Sequence, residues 1–310
     1  MTALDIPRRS NLSYEEFAAQ YLYPGKPVIV TDALKAWPAV GRWTPDFFKT
    51  QFGGMKFTIH DTLRSQIGYK DAGGATEYTM ATFVDRVMAS TDDSPAPYFR
   101  NRILAEYFPT LVPDIQPLPV YFAPNWLTER FLVKSVGKHL NRGAAIEIYI
   151  GGKGGAFPVL HYDGSATHAF LMQIYGVKEY IVYPPDQREF LYPSPDSRNL
   201  SMVNSLDTPD LERFPLFTQA RGARFELHPG ELLFVPALWW HTAKMLTPSI
   251  TVSINTVNDS NWGALVDDLS GGRRNPLVAM GGRAYLSSAG AWRAWRDRKY
   301  RPTAQGQPSS

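Results

Sequence analysis

Apolar and polar positions follow two different patterns along this chain. Over roughly the first hundred residues, helical signals dominate. Ser13-Tyr-Glu-Glu16 fits a capping box, which predicts a helix from about Tyr14 to Leu22. Pro24-Gly25 ends it, and Pro27–Val30 reads as a short buried strand. Thr44-Pro45 pairs an N-cap residue with proline at the first helical position, predicting a helix through Phe52 that Gly53-Gly54 stops. A third helix is predicted over Met80–Met88, and the polar, proline-bearing Thr91–Pro97 is a loop. From Ala144 the pattern changes. Ala144–Ile150, His168–Tyr175, Glu179–Tyr183, Arg224–Leu227, Leu232–Val235 and Ile250–Asn255 are short, rich in β-branched or aromatic residues, and bounded by turn signals. His228-Pro-Gly-Glu231 places Pro and Gly at the centre of a type II turn. Pro184–Asp196 and Asn199–Pro215 read as loops. Closely spaced strands without intervening helices predict an antiparallel barrel or sandwich. Past Asn261 the pattern turns helical again, and Thr303–Ser310 reads as a disordered tail.

Composition narrows the class. Of 310 residues, 44% are hydrophobic and 13% aromatic, enough to bury a core and to exclude wholesale disorder. The 24 glycines and 25 prolines argue for many turns and against a helical bundle. The longest apolar stretch, around Leu232–Trp240, is far short of a membrane span, and Met1–Arg9 lacks the apolar centre of a signal peptide. The expectation is a soluble, cytoplasmic protein with no membrane partner. The absence of cysteine excludes disulfides, thiolate metal sites and Cys nucleophiles together. The net charge of +3 is uneven: Arg273–Arg301 holds eight Lys or Arg against the single acid Asp297, a local +7 that leaves −4 for residues 1–272. This basic segment reads as a solvated helical extension packing through Trp292 and Trp295, in preference to a nucleic-acid contact.

Six histidines are present. His60, His139 and His228 read as ordinary hydrogen-bonded residues. His161-Tyr-Asp163 differs, because residues i and i+2 of an extended segment project the same way, setting an imidazole beside a carboxylate. His241, which follows the strand near Gly230–Pro236 and Trp239-Trp240, would complete two His and one carboxylate on one face of a metal. That set suits non-haem Fe(II) with open positions for oxygen and a cosubstrate. The three-residue motif also occurs by chance, so the spacing alone leaves both readings open.

The surrounding segments resemble the JmjC-type, cupin-fold oxygenases dependent on Fe(II) and 2-oxoglutarate, in particular the branch of the factor-inhibiting-HIF asparaginyl hydroxylase. The carrying residues are His161-Tyr-Asp163, Gln173-Ile-Tyr-Gly-Val-Lys178, Tyr183-Pro-Pro-Asp-Gln187, Leu191-Tyr-Pro193 and Glu212-Arg-Phe-Pro215. They continue in Pro229–Pro236, Trp239-Trp-His241 and Ile250–Asn255. The likeness is dense over about 145–257, looser over 13–100, and absent after Asn261. It implies a mainly β fold with flanking helices: a double-stranded β-helix core at about 144–257 within a catalytic domain of 1–260, then a basic helical extension at 261–301. It also implies iron held by His161, Asp163 and His241. The far carboxylate of 2-oxoglutarate would be met by Lys178 and by the hydroxyl of Tyr98, with Asn255 near the cosubstrate. Two departures stand out: Pro158 replaces a hydroxyl residue, and Gly164–Ala169 is two residues longer than in relatives, so that either Thr167 or His168 takes over a cosubstrate contact, or neither does.

The resemblance implies hydroxylation of an unactivated C–H bond, with O2 consumed and succinate and CO2 released. The expected substrate is a protein or peptide side chain; small-molecule and tRNA-base substrates are the alternatives within the family. Trp239, Trp240 and Phe170 would line the mouth or belong to the core, and Gly68–Thr79 would shape the entrance. A cupin isomerase that binds metal but not oxygen, and a non-catalytic binding module contacting partners through the basic tail, are the rivals from other classes. The helical extension Trp262–Tyr300, through Leu265, Leu269, Leu277, Tyr285, Trp292 and Trp295, would either pair two subunits or cap the barrel.

Overall fold

A computed structural model of the chain describes residues 4–60, 74–128, 145–157, 159–203, 205–271 and 276–302. His139, Pro158, Arg273, Arg274, residues 68–73 and the tail from Thr303 lie outside the described residues.

The N-terminal third folds as its caps dictate. In α1 (Tyr14–Phe17) the Ser13 hydroxyl accepts from the Glu16 N–H at 3.2 Å, and the Glu16 carboxylate accepts from the Ser13 N–H at 3.0 Å. The helix continues as a wider π-turn over Ala18–Leu22, reaching the predicted end. Thr44 caps α2 (Pro45–Phe52), and Thr79 caps α3 (Met80–Met88). Strand β1 (Arg8–Arg9) runs parallel to β2 (Val28–Val30). A hairpin of β3 (Lys56–His60) and β4 (Ala75–Thr79) was not anticipated by the helical reading of this region. Phe57 on β3 places its ring 4.7 Å from Phe99 and 5.4 Å from Phe83, so the hairpin is tied to the core by aromatic edges.

The remaining strands are β5 (Phe99–Ile103), β6 (Glu147–Gly151), β7 (His168–Tyr175), β8 (Lys178–Tyr183), β9 (Ala223–Leu227), β10 (Leu232–Val235), β11 (Trp240–Met245) and β12 (Ser249–Thr256). They build a seven-stranded sheet in the order β1-β2-β10-β7-β12-β6-β5 and a three-stranded sheet, β11-β8-β9. All pairings but β1 with β2 are antiparallel. The two larger sheets pack face to face through Ala169, Leu233 and Val235 on one side and Tyr180, Val182, Ala223 and Leu227 on the other. This is the antiparallel β core that the strand pattern predicts, in the mainly β, jelly-roll form that the resemblance implies.

Gly176 makes the tight link from β7 to β8. Its φ is +68°, and a Cβ there would meet the Pro248 carbonyl oxygen at 1.9 Å. Gly230, at φ +91°, holds the turn before β10 that the Pro-Gly pair predicts. The opposite face of the large sheet buries a second core, in which the rings of Phe17, Phe122 and Phe234 lie 6.0, 4.9 and 5.0 Å from that of Phe170.

Three expectations need correction. The first strand of the core runs Glu147–Gly151 and not Ala144–Ile150. Trp240–Met245 is a full strand, where the sequence reading had only a segment following one. The basic extension forms α4 (Trp262–Gly271) and α5 (Pro276–Arg296), yet it does not pack through Trp292 and Trp295, which are 56% and 64% exposed. The packing instead uses Trp262, Leu265, Val266, Leu286 and Ala294 against Trp126, Leu127 and Val257. Small side chains drive this choice: Gly290 lets the Trp262 indole approach α5, and the indole N–H donates to the Leu286 carbonyl at 3.0 Å. Leu265 is therefore spent inside its own chain. No helix of the described residues is long and apolar enough to cross a membrane.

Candidate active site

Strand alternation creates the site. Between the two sheets lies a cavity of about 580 Å³. Every second residue faces it: Tyr98 and Arg100 at β5, Glu147 and Tyr149 on β6, Ala169 and Leu171 on β7, Lys178 and Tyr180 on β8, and Thr251, Ser253 and Asn255 on β12. His241 and Thr242 enter from β11, and Ile59 from β3.

His161, Asp163 and His241 converge at one end, with one ligand atom of each within 4.8 Å of the others. His161 does not sit on a regular strand. It makes single bridges to Leu200 and to His241; beyond it the Tyr162 N–H donates to the Asn199 carbonyl and the Tyr162 carbonyl accepts from the Asn199 amide, each at 3.1 Å, before the extended backbone of Asp163. The extended backbone preserves the same-side projection that the motif spacing predicts. The main chains of the two histidines exchange hydrogen bonds of 2.6 and 3.1 Å. Each imidazole then lies 3.1 Å through Nδ1 from a carbonyl, Val159 for His161 and Trp239 for His241. A carbonyl only accepts, so Nδ1 carries the proton and Nε2 presents its lone pair inward. Asp163 Oδ1 stands 3.5 Å from His161 Nε2 and 3.8 Å from His241 Nε2. Burial alone would raise the Asp163 carboxyl, but the contact with His161, the neighbouring His241 and the Asn255 amide outweigh it and hold it at about 2. Burial, followed by His161, pushes the His241 imidazole down to about 4. A carboxylate set beside two imidazoles whose Nε2 atoms face inward fits an ion such as Fe(II) with open coordination positions.

Asn255 ties this group together. Its amide donates to Asp163 Oδ2 at 2.9 Å and to Thr167 Oγ1 at 2.8 Å. Thr167 thus supports the carboxylate through Asn255. Gly164–Ala166 forms a short 3₁₀ turn in which Ser165 and Ala166 take left-handed φ values of +61° and +46°. The first residues of the C-terminal region hold it there, with the Ser165 N–H donating to Asp268 and the Asn261 amide to the Ala166 carbonyl. His168 is not brought into the cavity. Its Nδ1 accepts from the Ala237 N–H at 3.0 Å, so its Nε2 donates to Ser260 at 2.9 Å, and burial pushes the ring down to about 3.

At the other end, the Lys178 ammonium donates to the Tyr98 hydroxyl at 3.0 Å and lies 5.3 and 5.7 Å from the ring centres of Tyr98 and Tyr149. The lysine is 2% exposed, and burial pushes it down to about 7; burial pushes Tyr98 up. An incoming carboxylate would offset the cost of keeping that ammonium charged. The two halves expected of the site, a metal triad and a lysine–tyrosine pair, therefore share one cavity. Phe170, Trp239 and Trp240 do not line it and belong to the core; the Trp239 indole is held by the Gly25 carbonyl at 2.9 Å. His228 sits on the surface beside Glu226.

Several cavity residues escaped the sequence reading. Arg100, Asn101, Glu147, Tyr149 and Ser253 are polar strand residues, a type that ordinarily marks a solvent face. Asn101 donates to Glu147 at 3.2 Å and to the Tyr149 hydroxyl at 3.1 Å, and Tyr149 donates to Glu147 at 2.7 Å.

Comparison with known proteins accords with this architecture. A family model described as a cupin-like domain matches residues 14–258. This chain belongs to the cupin-like domain family. Among its relatives is lysine-specific demethylase 8 of Danio rerio, 29% identical over 264 residues, covering 80% of this chain and 57% of the relative. Arginine-specific demethylase JMJ22 of Arabidopsis thaliana is 26% identical over 267 residues, covering 83% and 47%. The human tRNA wybutosine-synthesizing protein 5 is 25% identical over 270 residues, covering 81% and 77%. The cupin-like chain thus spans about half the length of the two demethylases. These names support the JmjC group of the family. The family match stops at 258, just before the C-terminal helices.

Proposed function

We propose that this cupin-like protein is an Fe(II)- and 2-oxoglutarate-dependent oxygenase that hydroxylates an unactivated C–H bond, with succinate and CO2 as co-products. The substrate side leans to a protein or peptide side chain, following the likeness to the asparaginyl hydroxylase branch. One observation carries the reading: a His–Asp–His group and a buried Lys178–Tyr98 pair face the same cavity. A metal-dependent isomerase on this fold needs the first and has no use for the second. A binding module needs neither. Names such as demethylase describe the same step, because hydroxylating an N-methyl carbon gives a product that sheds formaldehyde.

His161, Asp163 and His241 would hold the metal, with Asn255 keeping Asp163 Oδ1 turned to the histidines. Bound there, Fe(II) with 2-oxoglutarate and O2 supplies an oxidant able to attack an unactivated C–H bond. Lys178 and Tyr98 would fix the far carboxylate of the cosubstrate, the ammonium by charge and the hydroxyl by a hydrogen bond. Ala169, Leu171 and Phe157 line the cavity with apolar surface and limit the water that reaches the reacting atoms.

The test is succinate formation by the purified protein with Fe(II), ascorbate, O2 and 2-oxoglutarate, beside 2-oxoglutarate binding with Mn(II) as an inert ion. Metal-dependent binding or turnover supports the oxygenase; silence in both overturns it in favour of the isomerase or the binding module. Two quantitative outcomes follow. Asn255→Ala is expected to weaken Mn(II) binding by roughly 10- to 100-fold, the usual cost of losing a group that orients a ligand, in a metal titration. The second concerns pH. Lys178 sits near 7 without an anion, and a bound carboxylate raises it again. Binding therefore takes up a proton above about pH 7, and 2-oxoglutarate affinity is expected to fall by up to about tenfold per pH unit there. Calorimetry in buffers of different ionisation enthalpy detects that proton, and Lys178→Met removes it together with the tight binding.

A further inference from the structure

Directly after Asp163 the backbone takes two left-handed residues in succession, Ser165 and Ala166, whereas Gly164, which could adopt that conformation freely, does not. Left to itself, such a turn would relax toward negative φ and carry its two ends with it. Those ends belong to the metal group. Asp163 precedes the turn and Thr167 follows it, and both meet the amide of Asn255, which gives one hydrogen to each. The shape of the turn therefore decides where the Asp163 carboxylate stands.

The groups that hold the turn lie past residue 258, where the family match ends. The Asn261 amide donates to the Ala166 carbonyl at 2.9 Å and to the Thr256 carbonyl at 3.2 Å, tying the turn to the end of β12. Its Oδ1 accepts from the Asn258 N–H at 2.8 Å. Asn261 stands where α4 begins, and its carbonyl accepts from the Leu265 N–H at 3.1 Å. An asparagine there ordinarily folds its side chain back onto an N–H of its own helix. This one is 2% exposed and commits its whole side chain to the turn, to β12 and to Asn258. Asp268, about two turns further along α4, reaches the turn as well, its Oδ2 accepting from the Ser165 N–H at 3.0 Å. Beyond Thr167, His168 Nε2 donates to Ser260 of the same connector. We propose that Asn261 and Asp268 are positioning residues of the metal group: acting through the Ser165–Ala166 turn, they hold Asp163 and Thr167 on the Asn255 amide. The inference rests on the metal-binding part of the oxygenase reading. It makes the start of α4 a working part of the centre, although no described residue of that helix lines the cavity.

The experiment titrates the full chain with Mn(II), reads the free ion by electron paramagnetic resonance, and records thermal unfolding of the metal-free protein alongside. Asn261→Ala is expected to weaken Mn(II) binding by about tenfold or more, as loss of an orienting group does. Asp268→Ala removes one exposed hydrogen bond and is expected to weaken it by about two- to fivefold, with little change in melting temperature. Leu286→Ala is the control. It loosens the contact of α5 with Trp262 and lowers the melting temperature, but it does not touch the turn, so Mn(II) affinity is expected to stay within about twofold of wild type. Asn255→Ala and Asn261→Ala act on the same carboxylate, so the double variant is expected to bind little worse than the weaker single one. Wild-type affinity in Asn261→Ala, an equal loss in Leu286→Ala, or fully multiplied losses in the double variant each overturn the proposal. If Asn261→Ala does not fold, Asp268→Ala decides, and wild-type affinity there overturns it. A wild-type protein that binds no Mn(II) fails the metal reading itself, which keeps the two failures distinct.

Discussion

Asp163→Ala is expected to abolish succinate formation and to weaken Mn(II) binding by more than about 100-fold, beyond the loss for an orienting residue. The reason is charge as much as geometry. Asp163 is the sole anion of the His161–Asp163–His241 group, and the same cavity is lined by Lys178, Arg100 and Arg102. Without the carboxylate, a divalent ion would meet two imidazoles and no ligand charge, in a cavity lined by three basic side chains and one further carboxylate, Glu147. The carboxyl is held near 2, so its charge persists through ordinary working pH and is lost only as the pH falls toward that value. Asp163→Asn separates the two contributions, since it keeps the shape and a hydrogen-bonding oxygen but not the charge. Metal titration and succinate release read the outcome; wild-type affinity in either variant would show that the ion binds elsewhere.

Phe170→Ala is expected to destabilise the fold by about 3–5 kcal/mol, the usual cost of deleting a fully buried aromatic ring. Phe170 is 0% exposed and lies at the joint between α1, the Val120–Phe122 turn and the sheet, where Phe17, Phe122 and Phe234 surround it. Few atoms nearby are free to collapse into the space, because each neighbour is itself a rigid ring. The melting temperature is expected to drop on the order of 10 °C in a thermal unfolding scan. The ring points away from the cavity, so 2-oxoglutarate binding by the folded fraction is expected to stay near wild type. A change of less than about 1 kcal/mol would mean that this second core contributes little to stability.

Much of this architecture was legible from short-range chemistry. Ser13 with Glu16, Thr44 with Pro45, and the Met80–Met88 span all carry their instructions within one or two turns of helix; the first two helices begin where their caps predict and the third over the predicted span. Five of the core strands, β6 to β10, were legible for a different reason: apolar runs bounded by Gly and Pro leave little choice. What escaped were features decided by distant partners. Trp240–Met245 pairs with β8 across a long separation, and its Thr-Ala-Lys centre has no strand signature of its own. Trp292 and Trp295 look like packing residues, but Gly290 and Ala294 present the flatter face to Trp262, and the two indoles are left outside. The cavity shows the same limit. Lys178 and Tyr98 were found through the family likeness, while Arg100, Glu147 and Tyr149 looked like solvent-facing polar positions until the second sheet enclosed them. His168 was drawn to the site by its place near the motif, yet the turn at Ser165 and Ala166 rotates it behind the wall, where Ser260 and Ala237 engage both ring nitrogens.

The paired main-chain hydrogen bonds between His161 and His241 bear on how an ion would come and go. In a chain with no cysteine they act as a rivet for the long excursion between the two ligands, and they are made by peptide groups alone. The entropy of closing that loop is settled before any ion arrives. Zinc fingers behave differently, because there the ion itself gathers the ligands and its removal unfolds the chain. Here occupancy and folding are separate accounts: a chelator would strip the site without dismantling the barrel, one ion would replace another in the native protein, and added metal would raise thermal stability only by mass action.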